Sequence, residues 1–195
     1  MTSSKENITP KFRSTFQSAV NQDSFLINQD NLVCRELNDK AVIVLRTSKD
    51  HKKNIKTVNK FFGLDLPETL SISSGNNGIK CLWISPDEFW LVHNRQSKSE
   101  ILDKIELLPA GMSMIDNSAT YGMLEFTGKK THNILARWMS YDLSGSLKVK
   151  KVISTTLGQA PVIIYRDSED KILMLVRHSF SHYVAGLLKD SAKRI

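Results

Sequence analysis

The stretch Cys81-Leu82-Trp83-Ile84-Ser85-Pro86-Asp87-Glu88-Phe89-Trp90-Leu91-Val92 constrains the fold most. Its two ends are short apolar runs, of the length and residue type of core strands. Ser85-Pro86-Asp87-Glu88 between them reads as a turn. Proline's fixed φ suits the turn, and aspartate bonds readily to its own backbone. The acidic pair also sits between two tryptophan-bearing strands. A carboxylate held against apolar walls can have a raised pKa and act as an acid. Turn chemistry already accounts for Asp87 and Glu88, however, and is the preferred reading.

The same logic extends in both directions. Ala41 to Arg46 is a β-branched run and reads as a buried strand. Ser48 is a plausible N-cap for a helix carrying Ile55, Val58, Phe61 and Phe62, which Gly63 caps and Pro67 ends. Residues 69 to 84 read as two strands about the turn Ser74-Gly75-Asn76-Asn77-Gly78. Ser97 and Glu100 have capping-box spacing and open a helix with Ile101, Leu102, Ile105 and Leu108 inward. Strands follow at 112–115 and 123–126. The next helix faces inward with Ile134, Leu135, Trp138 and Met139. Three strands, 152–157, 161–165 and 172–176, precede a last helix that buries Phe180, Tyr183, Val184, Leu187 and Leu188.

Helices do not alternate one-for-one with strands, which predicts an α+β fold with a mainly antiparallel sheet. The two halves read as two related strand/helix units. No Gly/Ser/Pro-rich linker divides them, and 195 residues suit one domain. Residues 25–195 are assigned to it. Residues 1–24 are polar and aperiodic, and are expected to form a flexible or partner-wrapping arm.

A net charge of +7 would attract anions, but the lysines are scattered. They do not form a dense block interleaved with aromatics, so a nucleic-acid partner is not expected. Two cysteines, Cys34 and Cys81, fit a reducing cytoplasm and small buried apolar roles rather than a disulfide. The polar start carries no secretory signal, and no apolar run is long enough to span a membrane.

The nine glycines form neither a dinucleotide nor a Walker pattern, and no nucleophile elbow is present. His178 and His182 are one helical turn apart and could share a metal, yet the intervening Ser179-Phe180-Ser181 lacks the zincin glutamate. A capping or surface role is preferred for both. His51, His93 and His132 have no local partner pattern, and Asp116 before Asn117-Ser118 reads as a strand-end turn. Trp83, Trp90 and Trp138 are read as core rather than as a binding surface. No catalytic, cofactor-binding or metal-binding residue is therefore assigned to this chain.

Taken in order, several segments resemble the sarcosine oxidase gamma subunit family. Leu82-Trp83-Ile84-Ser85-Pro86-Asp87-Glu88-Phe89-Trp90-Leu91 is similar to its Leu-Trp-Leu-Gly-Pro-Asp-Glu-Trp-Leu-Leu segment. Ile115-Asp116-Asn117-Ser118 resembles its Val-Asp-Val-Ser. Leu124 to Gly128 with Ile134-Leu135-Ala136 resembles its Leu-Ser-Gly strand and following helix. Tyr141-Asp142-Leu143, Thr155 to Ala160 and Arg177 to Ser181 continue the series, with His178 as an added residue. The likeness runs over about residues 40 to 190. More distantly, residues 112 to 190 resemble the folate-binding fold of the glycine cleavage T-protein. Gly158-Gln159-Ala160 stands where that family follows its glycine turn with acidic residues.

The resemblance implies a small, non-catalytic gamma subunit of a heterotetrameric flavin-dependent sarcosine oxidase, with alpha, beta and delta subunits as partners. Such a complex demethylates sarcosine to glycine. It yields hydrogen peroxide, with formaldehyde or methylene-tetrahydrofolate. FAD, FMN, NAD and tetrahydrofolate are implied on the partner subunits, with no cofactor on this chain. The competing expectation is an independent folate-binding C1-transfer protein.

Overall fold

The computed structural model describes residues 13–48 and 51–195, with side chains from 54 onward in the first helix. The elements are β1 (Phe25–Gln29), β2 (Leu32–Glu36), β3 (Lys40–Thr47), α1 (His51–Phe62), β4 (Ile72–Ser74), β5 (Lys80–Ser85) and β6 (Glu88–Asn94). Then come α2 (Lys98–Leu102), β7 (Met112–Asp116), β8 (Tyr121–Thr127), α3 (Thr131–Ala136), β9 (Val152–Leu157), β10 (Ala160–Ser168), β11 (Lys171–Arg177) and α4 (Ser181–Ala192). No helix among the described residues is long and apolar enough to cross a membrane.

The expected antiparallel pairing holds, in two sheets rather than one. The first has the order β1-β2-β8-β11-β10-β9 and the second β4-β5-β6-β3-β7. The sheets pack face to face, and helices cover both outer faces. Strand alternation explains this layering. In β3, Val42 and Val44 join the layer between the sheets, with Trp90, Met123, Ile163 and Leu175. Ile43 and Leu45 point the other way, onto Val58 and Phe62 of α1 and Ile101 of α2. In β8, Leu124 and Phe126 face Ile134 and Leu135 of α3 and Val184 and Leu188 of α4. Strands buried on both faces read as continuous apolar runs, as they do here.

The two related units are real, and they interlock. The series β3-α1-β4-β5-β6-α2 corresponds to β8-α3-β9-β10-β11-α4, with the same spatial order in each sheet. Each unit is preceded by a strand that pairs in the other unit's sheet. β2 precedes β3 but lies beside β8; β7 precedes β8 but lies beside β3. The first sheet therefore draws on both ends of the chain, and the second is completed by the strand that leads into the other unit.

Several expectations need correction. Residues 1–12 of the expected arm lie outside the described residues. Residues 13–24 pack onto the first sheet instead: Phe16 is 1% exposed within its core. The Ser14 hydroxyl and the Phe16 N–H both donate to the Glu36 carboxylate. The hairpin β1–β2 was not anticipated. Its turn has no glycine; Asn31 takes the left-handed conformation, φ 62°. Ser97 precedes α2 but makes no side-chain capping bond. Helix α1 begins beyond Ser48, whose N–H bonds to the Gly111 carbonyl. Ile55, Ile105 and Tyr183, expected inward, are exposed. Gly63, with φ 63° and its N–H on the Asn59 carbonyl, ends α1 as anticipated.

Gly128 joins β8 to α3 at φ 103°, a conformation that favours glycine. A Cβ there would overlap the Asn31 backbone, and the same Asn31 carbonyl accepts the Lys130 N–H at 3.0 Å. The obstacle is backbone on both sides and cannot swing away. Gly128→Ala is expected to cost about 2–3 kcal/mol, read as a lower urea midpoint with an unchanged slope. A loss below about 0.5 kcal/mol would show that the turn relaxes freely.

Candidate functional site

At one end of the molecule the sheets part, leaving a cleft of about 550 Å³. Its floor comes from the inner faces of both sheets: Val92, Met123, Leu173 and Tyr165. Its walls carry charges. Arg35 Nε donates to Glu125 Oε1 at 2.7 Å, and Lys171 Nζ lies 3.0 Å from Glu125 Oε2. Lys80 pairs with Asp167 across the sheets. Lys40 bonds Asn94 and lies 3.3 Å from Asp39.

These groups neutralise one another. Glu125, with its side chain 9% exposed, is the member that depends most on its partners; Arg35 and Lys171 retain access to water. Burial, then the charges of Asp167 and Glu125, push the Tyr165 phenol well above its ordinary range, so it stays a neutral hydroxyl. The cleft is a polar recess over an apolar floor, with Asp39, Glu125 and Asp167 engaged by cations.

The Asp87-Glu88 pair lies elsewhere, at the β5–β6 turn. Arg46 of β3 reaches across to both acids, with Nη1 3.2 Å from Asp87 Oδ2 and Nη2 on Glu88. Glu88 also accepts the Trp90 indole N–H at 2.7 Å. Asp87 accepts the Ser85 hydroxyl at 2.8 Å. That bond, aided by Arg46, holds its carboxyl below the usual range. The preferred turn reading therefore stands: both acids are latches that fix the hairpin on β3. Asp116 is likewise a strand-end turn, accepting the Ser118 N–H at 3.0 Å. Partial burial raises its carboxyl, but bonds from Ser118 and Lys98 outweigh this and leave it lowered.

The other singled-out residues are scattered. Trp90 is buried and Trp83 half-buried. Trp138 is 38% exposed, contrary to expectation; it lies past the end of α3 with its indole N–H on Ser191 Oγ at 2.8 Å. Cys34 and Cys81 are free and buried in different layers, and burial raises both thiols. His93 is fully buried, with Nδ1 2.8 Å from the Asn94 carbonyl; burial lowers its pKa and keeps it neutral. His132 Nε2 accepts from Arg166 at 2.8 Å. Burial, then the Arg166 charge, lowers its pKa. Arg166 also donates to the carbonyls of Leu143 and Glu169 and so ties α3 to two loops. The side chain of His51 lies outside the described residues. Among the described residues no group of three His, Cys, Asp or Glu comes together to hold a metal.

The cleft is assembled from residues distant in the chain. Arg35 and Glu125 are far apart in the chain and meet only because β2 crosses into the other unit's sheet. The one local signal was Glu125 inside the apolar run of β8, a charge where the pattern asks for none.

Comparisons with known proteins agree with this geometry. The model of the "Sarcosine oxidase, gamma subunit family" matches residues 48–194. Sarcosine oxidase gamma subunits from Corynebacterium sp. (strain P-1) and Arthrobacter sp. are each 28% identical over 133 residues, which is 66% of this chain. The match spans 64% of the length of these relatives. The heterotetrameric sarcosine oxidase from Corynebacterium sp. U-96, in complex with pyrrole 2-carboxylate, contains a chain with the same fold. It superposes with a TM-score of 0.79 at 22% identity, covering 94% of this chain and 95% of that one. The glycine cleavage system aminomethyltransferase T from Bartonella henselae gives a TM-score of 0.61 at 14% identity, over 82% of this chain and 46% of that one.

Proposed function

Because the chain belongs to the sarcosine oxidase gamma subunit family, we propose that it is the small, non-catalytic subunit of a heterotetrameric flavin-dependent sarcosine oxidase. The family match over residues 48–194 carries this reading. The engaged state of the two carboxylates at the centre of the cleft is compatible with it, since Glu125 is held by Arg35 and Lys171 and Asp167 by Lys80. In this reading the alpha, beta and delta subunits hold FAD, FMN, NAD and tetrahydrofolate. The complex acts in the cytoplasm and converts sarcosine to glycine and hydrogen peroxide, with formaldehyde or methylene-tetrahydrofolate. The contribution of this chain is packing.

Co-expression with the large subunits from the same source is the test. The chain is expected to co-purify in a yellow complex at fixed stoichiometry, and to be colourless when made alone. A stable chain that ignores the large subunits would sink the proposal. Tight tetrahydrofolate binding by that lone chain would instead establish an independent C1-transfer protein, the reading that the shared fold with aminomethyltransferase T keeps open.

A further inference from the structure

The carboxylates at the centre of the inter-sheet cleft are engaged, but several donors beside them are not. Arg35, Glu125, Leu173 and Tyr165 stand in one row across the adjacent strands β2, β8, β11 and β10. Their side chains therefore share one face of the first sheet, the face turned toward the second. Arg35 uses only Nε on Glu125; its two Nη groups make no hydrogen bond to a described residue. Lys171 holds the other oxygen of the same carboxylate. Two cations thus share one negative charge, and this end of the row keeps a local positive surplus. Of the other acids lining the cleft, Asp167 is held by Lys80 and Asp39 by Lys40. Glu36 accepts from Ser14 and Phe16, and Asp23 is exposed.

At the far end of the row, Tyr165 is 1% exposed, and its hydroxyl makes no hydrogen bond to a described residue. The hydroxyl is not sealed inside the protein. Tyr165 lines the cleft, and the charges of Asp167 and Glu125 on the cleft walls both act on its phenol. A neutral phenol without an acceptor in its own chain offers its proton to whatever occupies the cleft. Between the two polar ends, Leu173 forms the apolar floor with Val92 and Met123.

We propose that this cleft binds a small organic carboxylate. The free Nη pair of Arg35 matches the two oxygens of a carboxylate. The Tyr165 hydroxyl adds a donor from the floor. The apolar part of the ligand then covers Val92, Met123 and Leu173. A volume of about 550 Å³ lies within the ~300–1,000 Å³ typical of small-molecule sites. An inorganic anion would leave the floor uncovered, and an organic cation would face the surplus of Arg35 and Lys171. The inference does not depend on the family reading, since a packing subunit and a free chain could both carry such a site.

The test is calorimetric titration of the full chain with phenylacetate, with its neutral amide phenylacetamide and with the cation phenethylammonium, at fixed ionic strength. Saturable binding of phenylacetate is expected, on the order of tenfold tighter than either of the others. Arg35→Lys keeps a cation beside Glu125 but removes the Nη pair. Tyr165→Phe removes only a hydroxyl that has no hydrogen bond to a described residue. Each is expected to weaken phenylacetate binding on the order of tenfold while leaving the melting temperature unchanged. Absence of saturable binding up to roughly ten millimolar ligand, or equal affinity in wild type and both variants, would overturn the site. Amide or ammonium binding as tight as that of phenylacetate would overturn the carboxylate as the group recognised.

Discussion

Replacing Phe16 by alanine is expected to destabilise the full chain by about 3–5 kcal/mol. The ring is 1% exposed and lies in the core beneath α4, in the same cluster as Leu26, Cys34 and Val184. Its removal loses the transfer free energy of a phenyl group and leaves a cavity walled by strand and helix residues that cannot all collapse inward. The effect should also spread. Phe16 brings its own N–H and the Ser14 hydroxyl to Glu36, a buried carboxylate that would be left short of donors if the segment detached. Urea melts of wild type and variant decide the matter. A loss under about 1 kcal/mol would mean that residues 13–24 are a dispensable appendage, as their polarity suggested.

A larger loss is expected from dividing the chain. Fragment 1–117 contains the whole second sheet and fragment 118–195 contains four strands of the first, β8 to β11, and simple modularity would let each fold. The crossed strands argue otherwise. The first fragment keeps β1 and β2 without β8, their only link to a sheet, and the second has β8 without β2. Each would also expose its share of the layer between the sheets, with Val42, Val44, Trp90 and Val92 on one side and Met123, Ile163, Leu173 and Leu175 on the other. Loss of that layer removes more than the roughly 5–15 kcal/mol by which a domain of this kind is stable. Neither fragment alone should melt cooperatively. Mixed, the two should restore a cooperative transition. A cooperative melt from either fragment by itself would show that the halves are autonomous.

Legibility in the sequence followed the range of the interactions. The strands from 40 onward and the turn at Gly158 were readable because apolar runs and punctuating residues are local. The Asp87-Glu88 pair was readable for the same reason, since turn chemistry is decided within a few residues. Trp138 was misplaced because helical periodicity was extended past Ala136, where α3 stops. The hairpin at 25–36 was hidden because Asn31 performs a turn in which glycine would have been conspicuous. The cleft was hidden for a deeper reason. Its charges are drawn from β2, β3, β5, β8, β10 and β11, and only the topology brings them to one place.

The strand crossing also sets an order of events during synthesis. All strands of the second sheet lie between 40 and 116, so it can close while the C-terminal part of the chain is still being made. The hairpin β1–β2 is translated before the rest of its sheet and has no sheet neighbour until β8 leaves the ribosome, roughly 5–20 s later at ordinary elongation rates. Until then β2 presents Leu32 and Cys34 on an open strand edge, the kind of surface that recruits foreign strands. Nascent chains stalled shortly before residue 121 should therefore be the ones most dependent on a chaperone.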